Sequence, residues 1–217
     1  MGSASSYSGV VPRQPIEPPA EADPTARTVA SYELVAADYA RETAGGGLSD
    51  GLARLVEAVP GGHVLEIGSG PGWDADALEE AGLRVRRTDV TQAFIDLQQE
   101  RGQQVERLDV VSDDLGGPYD AVVALAVLQH VPRSALARVL GRMAASLAPG
   151  GALLLAVRTG EGERWEVGDS GNPYYVALWE EGELIDLLVA AGLRVEWQEV
   201  SSDSEDSDWV SLLARIT

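Results

Sequence analysis

A chain of 217 residues, 45 % hydrophobic and 24 % charged, has the composition of one ordinary globular domain able to bury a core of its own. Asp and Glu number 35 against 16 Lys and Arg, a formal charge of −19 that repels a phosphate backbone and argues against a nucleic-acid substrate. With no cysteine there is no disulfide framework, thiolate zinc site or cysteine nucleophile. With no long apolar run and no basic-then-apolar start, a cytoplasmic location and no membrane partner are expected.

Residues 1–24 are rich in proline and serine and show neither helical nor alternating apolar period, so they read as a mobile tail. From residue 25 the pattern turns helical, with Val29, Tyr32, Val35, Ala36 and Tyr39 on one face and the glycines at 45–47 as a stop. A second helix is expected over residues 48–58. Residues 64–67 (VLEI) have strand composition, residues 73–81 have helix composition, and Gly68, Gly70 and Gly72 stand between them. Strand, glycine turn and helix in that order make a nucleotide-cofactor loop: glycines turn at positive φ and let a ligand sit on the main chain.

Two cofactor classes use this arrangement. Gly70, Gly72 and Ala75 fit the dinucleotide spacing G-x-G-x-x-A, which keeps a nicotinamide-dependent oxidoreductase open. That reading lacks a catalytic Tyr-x-x-x-Lys, since the chain has no lysine. Glu66, two residues before the first glycine, makes the run E-x-G-x-G-x-G, which resembles motif I of the class I S-adenosylmethionine-dependent methyltransferases.

Further segments resemble that family in order and spacing. Residues 83–90 (LRVRRTDV) form an alternating strand ending at Asp89, and residues 105–110 (VERLDV) form a third short strand ending at Asp109. Residues 119–127 (YDAVVALAV) are almost continuously apolar, as a central parallel strand is, and Leu128-Gln129-His130-Val131 follows. Residues 147–157 (LAPGGALLLAV) resemble a helix end, a Pro-Gly-Gly turn and a fifth strand. Residues 160–179 interleave Trp165, Tyr174, Tyr175 and Trp179 with acids and glycines, and read as the least regular part of the fold, a loop able to wall the ligand crevice. Residues 180–191 read as a helix ended by Gly192, and residues 193–200 and 208–216 as a closing antiparallel pair.

The resemblance implies a single doubly wound α/β Rossmann-like domain over residues 25–217. It would have a seven-stranded sheet in the order 3-2-1-4-5-7-6, a C-terminal antiparallel hairpin, and helices over residues 25–60 lying as a lid on a core of residues 61–217. It implies S-adenosyl-L-methionine as cofactor and S-adenosyl-L-homocysteine as product. Glu66 would meet the cofactor's ammonium or order the loop, and Gly68, Ser69, Gly70, Gly72 and Trp73 would surround the methionine and ribose. Asp89 and Val90 would take the ribose, Asp109 and Val110 the adenine, residues 128–131 would lie beside the methyl donor, and Leu125 would also bind the cofactor. Tyr32, Tyr39, Trp165, Tyr174 and Tyr175 are candidates to touch the acceptor, a small molecule or a peptide. His130 is the candidate general base, because its unperturbed pKa suits proton removal near neutrality. No His, Asp and Glu cluster has metal-ligand spacing, so no metal is expected. A non-catalytic binding module on the same fold is a third reading. Abundant Ala, Gly, Arg and Val fits a GC-rich bacterial origin.

Overall fold

The computed structural model describes residues 14–17, 23–45, 47–167, 171–202 and 207–217. Seven strands form the main sheet: β2 (His63–Ile67), β3 (Arg84–Asp89), β4 (Val105–Arg107), β5 (Tyr119–Leu125), β6 (Leu147–Arg158), β9 (Leu193–Ser202) and β10 (Asp208–Ile216). They lie in the order β4-β3-β2-β5-β6-β10-β9, which is the expected 3-2-1-4-5-7-6. Strands β2 to β6 pair in parallel, and β10 inserts antiparallel between β6 and β9.

The period of two along the strands sorts the core into two layers. Leu65, Ile67, Val122, Ala124, Leu153 and Leu155 pack with α5 (Arg133–Ala145) and α6 (Glu181–Ala190). Val64, Ala121, Val123 and Leu154 pack against Leu52 and Leu55 of α2 (Asp50–Ala58) and Leu78 of α3 (Trp73–Glu80). Burial on both faces is why β5 reads as an almost continuous apolar run. The helix α4 (Gln92–Glu100) follows β3 and buries Phe94, Ile95 and Gln98. Gly192 follows the last turn of α6 at φ +83, the left-handed conformation in which a helix C-terminus commonly ends.

Three expectations are corrected. Residues 14–16 fall inside the stretch read as a tail without structure, yet Gln14–Ile16 form β1; residues 1–13 and 18–22 lie outside the described residues. Residues 160–179 are not an irregular loop: β7 (Glu163–Val167) and β8 (Pro173–Ala177) pair antiparallel, with Trp165 opposite Tyr175, and β1 adds to β7 as a second, three-stranded sheet. The pattern misleads because Glu166 is fully buried, its charge met by Arg158 at 2.6 Å and Arg164 at 2.7 Å, so an inward residue looks like a surface one. Pro149-Gly150-Gly151 does not precede the fifth strand. It lies within β6, where pairing to β5 slips between Tyr119 and Ala121.

The N-terminal helix α1 (Pro24–Glu42) is capped by Asp23, whose side chain accepts from the Ala26 N–H at 2.9 Å. It crosses from β8 to α4. Thr28 Oγ1 accepts from the Tyr175 N–H at 3.0 Å, and Ser31 Oγ donates to the Pro173 carbonyl at 2.6 Å. From the middle of the helix the Glu33 carboxylate accepts from the N–H groups of Gln92 and Ala93 at 2.7 and 2.8 Å. Thr91, the N-cap residue of α4, makes no side-chain cap bond, so α1 supplies the cap from outside.

Candidate active site

The carboxyl ends of β2, β3, β4 and β5 open beneath α1 into a cavity continuous with solvent, about 810 Å³ of empty space with the open part included. Its floor begins at the glycine turn. Gly68, Gly70 and Gly72 all hold positive φ (66°, 52° and 87°), but for different neighbours. A Cβ on Gly68 would lie 2.3 Å from Val127 Cγ2, so this glycine lets the segment after β5 approach. A Cβ on Gly70 would meet nothing within 4 Å, and Gly70 lines the cavity. A Cβ on Gly72 would strike Gln98 Oε1 at 2.5 Å, so Gly72 makes room for α4 and does not face the cavity.

Two of the three acids line the space. Asp89 ends β3, 5 % exposed, and its oxygens accept from the N–H groups of Gly70 and Thr91, both at 2.8 Å. Burial raises its pKa, and the N–H groups of Thr91 and Gly70 partly oppose that shift. Asp109 also lines the cavity, with its oxygens held in its own turn by the Val111 N–H at 2.8 Å and Ser112 Oγ at 2.9 Å. From α5, Arg142 Nη1 donates to the carbonyls of Val110 and Val111 at 2.9 and 2.8 Å and fixes this apolar shelf. Glu66 is 3 % exposed, and its Oε2 is buried without a hydrogen-bond partner. Burial, then Asp74, pushes its pKa well above the carboxylate range; Arg87 opposes this, and Asp89 and Asp76 add to it. It lies under the cavity floor and not on it.

The opposite wall is aromatic. Tyr32, Tyr39 and Phe94 meet pairwise at ring separations of 6.0, 6.0 and 5.7 Å. Tyr32 reaches His130, which follows β5 in a single 3₁₀ turn (Leu128–His130): the hydroxyl lies 3.1 Å from Nε2. His130 Nδ1 lies 2.7 Å from the Tyr175 carbonyl, which can only accept. Nδ1 therefore carries a proton, and in the neutral ring Nε2 is the acceptor that faces Tyr32.

Of the residues singled out from the sequence, Tyr32, Tyr39, Gly68, Gly70, Asp89, Val90, Asp109, Val110, Leu125 and His130 line this one cavity. Ser69, Gly72 and Trp73 do not; Ser69 accepts from Gln98, and the Trp73 ring lies under the Arg101 guanidinium at 4.4 Å. Trp165 and Tyr175 are core residues, 6 % and 4 % exposed, and Tyr174 donates its hydroxyl to Glu166 at 3.2 Å while its ring stands 5.9 Å from that of His130; none of the three lines the cavity, whose aromatic lining comes from α1 and α4. Thr28, Thr91, Phe94 and Ala126 also line the cavity and escape a reading of the sequence alone. Phe94 carried a signal, as the only phenylalanine in the chain. Ala126, a non-glycine residue at φ 58, carried none, because its strained turn depends on the Ala156 carbonyl that its N–H meets at 2.9 Å. Among the described residues no group of three or more His, Cys, Asp or Glu could hold a metal, and no helix is long and apolar enough to cross a membrane.

Comparison with known proteins agrees with this geometry. The family described as "Methyltransferase domain" matches residues 39–200. A ubiquinone biosynthesis O-methyltransferase of Xylella fastidiosa is 28 % identical over 158 residues, covering 64 % of this chain and 63 % of the relative, so the chain spans under two thirds of that relative's length. A protein-L-isoaspartate O-methyltransferase of Chlorobaculum parvum is 32 % identical over 46 % of each chain. Among solved structures, the Burkholderia thailandensis 1,6-didemethyltoxoflavin-N1-methyltransferase, bound to that compound and S-adenosylhomocysteine, superposes with a TM-score of 0.72 at 24 % identity over 94 % of this chain and 95 % of its own. The magnesium protoporphyrin IX methyltransferase of Synechocystis PCC 6803, with bound SAM, gives 0.70 at 19 % identity over 92 % and 100 %. At such identities the likeness shows the fold alone, and the [4+2]-cyclase SpnF shares that fold at 0.68.

Proposed function

Because the chain belongs to the methyltransferase-domain family, we propose that it transfers a methyl group from S-adenosyl-L-methionine to an oxygen or nitrogen of a small-molecule acceptor in the cytoplasm. The observation that carries this reading is the meeting, in one cavity, of the glycine turn and strand-end acids with the Tyr32–His130 pair.

The donor set suits that cofactor. Gly70 leaves open space where a Cβ would stand, each Asp89 oxygen keeps a lone pair beyond the one that accepts a backbone N–H, and Glu66 keeps a buried, partnerless oxygen that a cationic ammonium above the floor would favour. Leu108, Val110 and Val111 offer an apolar shelf for a ring. When bound, the cofactor supplies a methyl group already activated on a sulfonium, so the protein's work is placement, exclusion of water and proton removal. Tyr32, Tyr39 and Phe94 roof the cavity and keep water from the acceptor. His130 takes the acceptor's proton at Nε2, with Tyr32 as the hydroxyl that holds or relays it, while the Tyr175 carbonyl keeps the ring in the right tautomer.

The nicotinamide alternative is less well supported: its spacing needs Gly72 at the cofactor, and Gly72 packs on Gln98. Calorimetric titration with S-adenosylhomocysteine, with NAD and NADP as controls, tests the proposal. Micromolar binding of the first alone supports it, and absence of binding at millimolar concentration refutes it. Turnover on any acceptor then separates an enzyme from a binding module.

A further inference from the structure

Behind the glycine turn, on the side facing α4, lies a polar cluster that methyl transfer itself does not use. Gln98 is fully buried there. Its Nε2 donates to Ser69 Oγ at 2.7 Å and to the Gly70 carbonyl at 2.8 Å, and its Oε1 accepts from Arg87 Nη1 at 3.3 Å. Arg87, with a side chain 1 % exposed, is paired with Asp76 at 2.7 Å and Glu79 at 2.6 Å on α3. The guanidinium settles which way the amide faces: turned over, the NH2 would oppose Arg87 donors and Oε1 would oppose the Gly70 carbonyl. Gly72 leaves the space in which both side chains fit.

The next residue makes this contact consequential. Proline has no N–H, so the Gly70–Pro71 peptide carries a single polar group, the Gly70 carbonyl. Around the missing Cβ of Gly70 there is open space, so packing does not hold the turn at that point. Hydrogen bonds do: the Gly70 N–H goes to Asp89 Oδ2 at 2.8 Å and its carbonyl to Gln98.

We propose that Gln98 is a positioning residue for the cofactor: by drawing the Gly70 carbonyl toward α4 it keeps an acceptor oxygen out of the cavity and holds the glycine turn open to the donor. The inference rests on the methyltransferase reading. It assigns a binding role to a residue that lies outside the cavity and 28 positions from the carbonyl it holds.

Gln98→Glu and Gln98→Met test it. The first keeps an oxygen for Arg87 but turns another against the Gly70 carbonyl; the second keeps length and volume and removes the donor. Each variant and the wild type are titrated with S-adenosylhomocysteine, melted, and compared by amide resonances of Ser69 and Gly70 without ligand. The dissociation constant is expected to rise roughly tenfold or more, as for a lost buried hydrogen bond, in at least the variant that melts like wild type, with the two amide resonances displaced. Affinity within about twofold of wild type in a folded variant overturns the proposal. If wild type binds no S-adenosylhomocysteine, the functional reading fails on its own, and undisplaced Ser69 and Gly70 resonances then remove the positioning role as well.

Discussion

Replacing Glu66 with glutamine is expected to stabilise the free protein and weaken its ligand. Glu66 is 3 % exposed and its Oε2 has no hydrogen-bond partner, so ionising it in the fold is not fully compensated. A buried polar group left unpaired costs about 1–3 kcal/mol, and the neutral amide of the variant would escape the charge part of it. At about 2–4 °C per kcal/mol for a chain of this size, the midpoint should rise by at most roughly 2–12 °C at pH 8. The sign follows from linkage. Burial raises the folded pKa above that of the unfolded chain, so the carboxyl's contribution to stability is complete below the unfolded value and is lost as pH rises through the folded one. The wild type should therefore lose stability relative to Glu66→Gln over that window, and the two curves should converge in acid. Calorimetric or fluorescence melts from pH 4 to pH 8 measure this. A variant no more stable than wild type at pH 8, or a difference independent of pH, would refute the reasoning. The same substitution should reduce affinity for S-adenosylhomocysteine, a loss of function accompanying a gain in stability.

Other perturbations follow from single contacts. Glu33→Ala removes the carboxylate that caps α4 from α1, and should cost about 1 kcal/mol, seen as a midpoint lowered by about 2–4 °C. Glu166→Ala leaves Arg158, a side chain 6 % exposed, without its buried carboxylate, and should cost about 3–5 kcal/mol in urea unfolding; a change below about 1 kcal/mol would show that the pair is solvated in solution. His130 should report a protonated Nδ1 in nitrogen NMR, readable because the chain has only two histidines, and an Nε2-protonated ring would overturn the Tyr175 contact. Once an acceptor is known, His130→Ala should slow turnover about 10²–10⁴-fold with S-adenosylhomocysteine affinity nearly unchanged, and equal loss of both would make the histidine structural.

What could be read from the chain by itself was local. Glu66, Gly68, Gly70, Asp89 and Asp109 stand at the ends of apolar runs, and strand, turn and helix boundaries follow from backbone sterics and side-chain period within a few residues. The order of the main sheet came with them, through the family that the motif resembles. Which residues share the cavity was decided only in three dimensions. Tyr32 meets His130 across 98 positions, and Thr28 meets Tyr175 across 147. Trp165 and Tyr175 turn into the core on one face of the β7–β8 pair, and Glu166 on the other face is buried against arginines on β6 and β7, a pairing that no periodicity announces. Gly72 looks like its two neighbours in sequence, yet faces Gln98 because α4 packs there. A glycine's freedom is written in its own chemistry; what occupies the space it leaves is set by helices and strands that arrive from elsewhere in the chain, through packing and register.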